Sequence, residues 1–157
     1  MIKLVGVEKT LGGQKVLRGV TLSIPAGKLT TIIGPSGEGK SVLLKHMIGL
    51  MKPDRGEVWV GNEEISRLRG EALNTARKRF SMLFQGAALF DSLTVTDNVA
   101  FPLREKLHLP EKEVARRVGE RLEQVGLAGM GHKYPSELSG GMKKRAGLAR
   151  ALVMEPE

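Results

Sequence analysis

Near the N-terminus apolar positions alternate with polar ones. Ile2, Leu4 and Val7 recur in a roughly alternating run, and Val20, Leu22 and Ile24 alternate strictly with Thr21 and Ser23. A period of two places one face of a strand against a core and the other toward water. Leu11-Gly12-Gly13-Gln14 between the two runs predicts a hairpin connection. Pro25-Ala26-Gly27-Lys28 predicts a turn. Leu29, Thr30, Thr31, Ile32 and Ile33 then form an apolar, β-branched run without alternation, the pattern of a strand buried on both faces.

Residues 40–50 predict a helix that Gly49 and Pro53 help to end. Residues 57–61 predict a strand with Val58 and Val60 on one face, residues 68–78 a helix with a basic end, and residues 80–84 a strand leading into Gln85-Gly86. The second half changes character. Val114, Val118, Leu122 and Val125 fall at helical spacing, and Gly126 and Gly129 end that stripe. A last helix is expected from near Ser139 to about Met154, where Pro156 stops it. The layout is a β/α front and a helical back, with the break in residues 85–94.

Composition narrows this picture. At 157 residues the chain is the size of one domain. Its 20 glycines follow no Gly-X-Y repeat, so they mark turns and backbone that comes close to a ligand. There is no cysteine, which excludes disulfides and thiolate metal sites. No run approaches the ~18 apolar residues of a membrane span, and the first residues lack a signal-peptide layout. A net charge of +8 suits a nucleotide, a nucleic acid or an anionic membrane surface, and equally a solvated surface rich in Lys and Arg. With 4% aromatic residues a base-stacking platform for nucleic acid is weak.

Gly34-Pro35-Ser36-Gly37-Glu38-Gly39-Lys40-Ser41 matches the G-x-x-x-x-G-K-[ST] phosphate-loop pattern in full, between an expected strand and an expected helix. Small residues let the backbone curl so that its N–H groups point at phosphate oxygens. The helix N-terminus adds partial positive charge. Lys40 supplies a point charge for the β- and γ-phosphates, and Ser41 a hydroxyl for Mg²⁺.

Leu138-Ser139-Gly140-Gly141-Met142 opens the last helix. Taken alone it is a helix cap. Together with the phosphate loop it resembles the LSGGQ signature of ABC transporter ATPases, with Met142 in place of Gln. The run from Lys143 to Leu152 is similar to the same family, and Phe84-Gln85 resembles its Q-loop. The segment from Gly86 to Glu105, together with Gly140-Gly141-Met142-Lys143-Lys144-Arg145-Ala146, looks like the MlaF/Mkl-type subfamily, which powers phospholipid transport with MCE proteins between bacterial inner and outer membranes.

The resemblance implies an α/β P-loop NTPase fold of ABC ATPase type over residues 1–157. Residues 1–93 would be the antiparallel β-subdomain and P-loop core, and residues 94–154 the helical subdomain with the signature. It implies ATP and Mg²⁺ as cofactors. Residues 34–41 would bind nucleotide, Ser41 and Gln85 would hold the metal, and Gln85 would also contact the attacking water. Ser139, Gly140 and Gly141 would act in trans across a head-to-tail homodimer. The implied partners are a membrane permease reached through residues 85–103 and an MCE-type lipid-binding protein, with no nucleic acid. The implied place is the cytoplasmic face of the bacterial inner membrane. Another cargo, or a non-catalytic nucleotide-binding fragment, is the alternative.

Two departures stand out. Leu11 occupies the place where the family usually stacks an aromatic ring on adenine, which implies looser base selectivity. The Asp-Glu strand of the family, with its Mg²⁺ carboxylate and general base, would follow Glu157. The C-terminal part of the core is therefore missing, and the 157 residues are expected to bind ATP without hydrolysing it. The expected missing strands would also leave a parallel-sheet edge open, which predicts poor solubility. His46, His108 and His132 are read as non-catalytic.

Overall fold

A computed structural model describes residues 1–107 and 109–156; His108 lies outside the described residues. The chain forms two compact units, Met1–Phe80 and Ser81–Glu157.

The first unit is built on one sheet. Strands β1 (Ile2–Leu11), β2 (Gln14–Ile24), β3 (Arg55–Val60) and β4 (Glu63–Glu64) lie in the order β2-β1-β3-β4, with every pairing antiparallel. The expected hairpin is there. Gly12 and Gly13 both take positive φ, 55° and 80°, and close the turn with Leu11 opposite Gln14. That geometry matches the right-handed twist of the strands. Leu4 pairs with Leu22 on one side and Val58 on the other, so alternating positions feed a common face. Leu4, Val7, Leu17, Val58 and Val60 are buried there with Ile65, and helix α1 (Lys40–Met47) adds Leu43 and Met47. Helix α2 (Gly70–Arg77) adds Ala76.

Two expected strands are not formed. Residues 29–33 have no ladder, and Leu29 and Ile33 are 97% and 89% exposed. Residues 80–84 likewise run without regular structure, and Leu83 and Phe84 are exposed. The reason is common to both. A strand buried on both faces exists only beside a neighbour that takes its N–H and C=O groups. Among the described residues none pairs with either run, and no parallel strand pair forms, so the expected parallel-sheet edge is replaced by unpaired apolar chain. Helix α1 also ends earlier than residue 50, because Gly49 turns to φ 69°.

The second unit is helical, with α3 (Val95–Leu107), α4 (Glu111–Gln124) and α5 (Gly140–Leu152). Val95, Val99 and Leu103 of α3 meet Val114, Val118 and Leu122 of α4 and Ala146 and Ala149 of α5 in one core. Val125, the last member of the expected stripe, is the partly buried C-cap of α4, and Gly126 follows at φ 66°.

Candidate functional site

The phosphate-loop residues meet in the first unit. Gly37 and Gly39 take φ of 87° and 88°, a region that costs any residue with a Cβ. Gly39 is also the N-cap of α1, and its carbonyl accepts from Leu43 N at 2.8 Å. A Cβ at position 39 would lie 2.9 Å from Val16 Cγ1, so the start of α1 is seated against β2 through glycine alone. Gly34, Pro35, Ser36, Gly37 and Glu38 are exposed, leaving the curled backbone open to a ligand.

Lys40 begins α1 and folds back. Its Nζ donates to the carbonyls of Gly34 at 2.7 Å and Pro35 at 2.5 Å. The ammonium thus sits over its own loop, tied by neutral acceptors that an anion outcompetes. Ser41 is exposed in the first turn of α1, which contains no acidic residue to neutralise the helix end. Exposed loop backbone, one ammonium and one hydroxyl lie within residues 34–41 at the start of one helix, a donor set that fits a polyphosphate with its divalent cation.

In the second unit Gln85 is exposed on a loop whose next three residues, Gly86, Ala87 and Ala88, all have positive φ: 85°, 66° and 47°. Alanine is rarely found there, and such residues persist only when their surroundings over-determine them. Helix α5 does this. Arg150 Nη2 donates to Ala87 O at 2.8 Å, and the same guanidinium lies 5.7 Å from the centre of the Phe90 ring. Burial pulls that guanidinium below its ordinary pKa. Gly147, one turn earlier, faces Ala87 so closely that a Cβ would come within 2.7 Å of Ala87 Cβ. Phe90 meets Phe101 at 4.9 Å between ring centres.

Asn98 secures the rest of the loop. It is fully buried; its Oδ1 accepts from Phe90 N, while its Nδ2 donates to the carbonyls of Phe90, Leu93 and Thr94. Sequence reasoning overlooked both Asn98 and Arg150. The available signal for Asn98 was a polar residue beside the apolar stripe of Val95, Val99 and Leu103.

Ser139, Gly140 and Gly141 open α5. Ser139 is the N-cap, and its Oγ accepts from Met142 N at 3.3 Å. Accepting that bond leaves the hydroxyl proton free to donate. Gly140 and Gly141 are exposed, with open space where a Cβ would stand. Arg145 donates to the carbonyls of Val125 and Gly126 at 2.9 Å each, closing the end of α4.

Other polar candidates have structural employment. Arg77 donates through Nε and Nη2 to Gly49 O, which closes the turn after α1. Arg79 pairs with Glu63 at 3.9 Å. His46 is buried, and its Nδ1 lies 2.7 Å from Val42 O. His132 is exposed. Among the described residues no group of three or more His, Asp or Glu is placed to hold a metal, and no helix is long and apolar enough to cross a membrane.

Comparison with known proteins places this geometry. The ABC transporter family profile matches residues 17–157. A probable ribonucleotide transport ATP-binding protein, mkl of Mycobacterium leprae, is 47% identical over 156 residues, 99% of this chain and 45% of that protein. The intermembrane phospholipid transport system ATP-binding protein MlaF of Escherichia coli is 45% identical over 157 residues, 100% of this chain and 58% of that protein. The chain therefore spans about half the length of these curated relatives. Among solved structures, the dimeric post-hydrolysis state of the ATP-binding cassette MJ0796 bound to ADP and Pi superimposes with a TM-score of 0.90 at 34% identity, covering 99% of this chain and 71% of that one. CbiO1 of Clostridium perfringens, part of the cbiONQ transporter complex, gives 0.86 at 32% identity, covering 99% and 62%.

Proposed function

The chain belongs to the ABC transporter family of ATP-binding proteins, and from that membership we propose that it is the nucleotide-binding part of a transport ATPase that drives phospholipid movement between bacterial membranes. The observation that carries this reading is the start of α1, where the exposed loop 34–38 passes through Gly39 into Lys40, whose ammonium lies on the loop's own carbonyls, with Ser41 exposed next in the chain.

Each residue then has a task. Backbone N–H groups of Gly34, Pro35 being excluded for want of one, and of Ser36, Gly37, Glu38 and Gly39 hold phosphate oxygens. Lys40 exchanges its carbonyl partners for the β- and γ-phosphates. Ser41 would offer its hydroxyl to Mg²⁺, which would neutralise charge on the phosphate oxygens; the metal contact of Gln85 is taken from likeness to the family's Q-loop alone. Gln85 orients the attacking water. Ser139, Gly140 and Gly141 serve the γ-phosphate held by a second subunit, which requires a head-to-tail homodimer. Residues 85–103, pinned by Asn98 and Arg150, form the contact with a membrane permease at the cytoplasmic face, in a complex that includes an MCE-type lipid-binding protein.

The phospholipid cargo is supported by likeness to MlaF over the whole chain, the 85–103 segment included. A second reading, a different cargo, is favoured by the ribonucleotide transport for which the mycobacterial relative is named. The test reconstitutes the polypeptide encoded by the whole gene with its membrane subunits in vesicles and follows a fluorescent phospholipid. ATP-dependent lipid movement supports the reading; phosphate release without lipid movement overturns the cargo. The 157 residues by themselves are expected to bind ATP and release no phosphate. Phosphate release that disappears in Lys40→Ala would overturn that expectation.

A further inference from the structure

We propose that the outer face of the first unit's sheet holds a small-molecule site, built around Trp59 and Lys3, for a planar aromatic ring that carries a carboxylate. The site is separate from the phosphate loop, and nothing in the proposal depends on nucleotide binding.

Alternation along the strands places it. Leu4, Val58 and Val60 turn to the core that they share with Leu43 and Met47 of α1. Lys3 and Trp59 are their neighbours in sequence and so stand on the opposite face, where they pair across β1 and β3. Gly61-Asn62 links β3 to β4 as a two-residue loop, with Val60 opposite Glu63 and Gly61 at φ 61° in its first position. Gly61 N also donates to Met1 O at 2.8 Å, which draws Met1 to this loop. Between them opens a cavity of about 310 Å³, lined by Met1, Lys3, Trp59, Gly61 and Asn62.

Two features define an occupant. The first is the ring. Trp59 is the single tryptophan of the chain, and it is half-buried on the outer face instead of lying in the core. Its indole N–H donates to Glu57 Oε2 at 2.8 Å. With that donor satisfied, the ring has its π surface left to offer, and the Met1 side chain adds a soft apolar contact beside it.

The second is the charge. The nearby acids are already matched: Glu57 accepts from Trp59 and lies 3.9 Å from Arg67, while Glu64 lies 3.0 Å from Arg67 and accepts from Ser66 Oγ. Lys3 is not matched. On the same hairpin Lys9 pairs with Asp54 and Lys15 with Glu8, whereas the exposed Lys3 ammonium has no hydrogen-bond or ion-pair partner among the described residues. A tryptophan ring by itself attracts cations, but a free ammonium across the strand pair repels them and draws an anion. Asn62, exposed in the loop, has an amide N–H that can share a carboxylate oxygen. The volume stands at the lower end of the roughly 300–1,000 Å³ of ligand pockets, room for one or two fused rings and not for a nucleotide or a lipid.

The experiment follows amide and indole N–H resonances of the 157-residue chain by NMR, where one tryptophan gives one indole signal. The probes are naphthoate, its neutral counterpart naphthylmethanol, and acetate. Naphthoate is expected to shift the Trp59 indole and the amides of Lys3 and Gly61 saturably, with a Kd below about 1 mM and at least about fivefold tighter than naphthylmethanol. Acetate, which lacks the ring, is expected to shift none of them. Lys3→Gln, an exposed change, should bring naphthoate to the affinity of the alcohol, and Trp59→Leu should abolish the shifts at Lys3 and Gly61. If Trp59→Leu fails to fold, Lys3→Gln still decides. Equal binding of naphthoate and the alcohol, an unmoved indole signal, or a Lys3→Gln variant that keeps the preference overturns the proposal. Lys40→Ala is expected to leave naphthoate binding unchanged. Loss of binding in that variant places the probe in the phosphate loop and overturns the proposal too, while a failure of ATP to bind overturns the phosphate-loop reading alone.

Discussion

Asn98 and Phe90 are joined twice: Phe90 N donates to Asn98 Oδ1 at 2.8 Å, and Asn98 Nδ2 donates back to Phe90 O at 3.0 Å. The amide orientation is fixed by its company, since Nδ2 also faces the carbonyls of Leu93 and Thr94 at 3.0 Å. One buried side chain thus ties the loop in front of α3 to that helix. Asn98→Ala would strand a backbone donor and remove a partner from three carbonyls, costing about 2–4 kcal/mol. Asn98→Asp should be worse, because a carboxylate oxygen replaces the donor before those carbonyls. Urea unfolding of the variants checks the order.

Arg150 and Gly147 hold Ala87 from the same helix. Gly147→Ala would press its Cβ on Ala87 Cβ and on Leu83 Cδ1, which a Cβ would meet at 2.7 and 3.0 Å. A loss of about 1–3 kcal/mol is expected from the overpacking. Arg150→Met keeps much of the stem but removes the bond to Ala87 O. Amide exchange should then speed up at Gly86 to Ala88 while the centre of α4 stays protected.

Gly56 and Gly6 differ in their room, not in their φ sign. Gly56 has φ 88°, and a Cβ there would strike the carbonyls of Gly6 and Val5; Gly6, at φ 57°, has nothing within 4 Å. Gly6→Ala should cost about 1 kcal/mol from backbone strain alone. Gly56→Ala should cost clearly more, with thermal unfolding as the measurement.

Acid should weaken the helical unit through Glu113. Hydrogen bonds from Arg116 and then Arg117 hold its carboxyl at about 2, against an ordinary 4.5. A carboxylate whose pKa is lower in the folded state stabilises fully above its unfolded value, and that contribution is lost as pH falls from about 4.5 toward about 2. The site is exposed, so the effect is small and shrinks in salt. Glu113→Gln should flatten this part of the acid unfolding curve.

Much of the architecture was legible because it is local. The period of two in β1 and β2, the Gly12-Gly13 turn, the stripe of α4 and the Ser139 cap each depend on residues adjacent in sequence. Residues 29–33 and 80–84 were misjudged for the opposite reason: strand-forming composition is a potential that only a partner strand realises. The phosphate loop could be read from a contiguous motif, and the structure puts Lys40 at the first position of α1 with its ammonium on the carbonyls of Gly34 and Pro35. Asn98 and Arg150 could not be read, because the groups they hydrogen-bond are backbone N–H and C=O, which carry no residue identity.

The exposure of Leu29 and Ile33 has a consequence for how this polypeptide fares in a cell. An apolar, β-branched stretch with free backbone donors is what chaperones and proteases sample first, and it is also the template on which like chains stack. Yield is then governed by a race. Capture of the stretch by a pairing strand competes with capture by a second copy, and the outcome depends on concentration and rate more than on folding free energy.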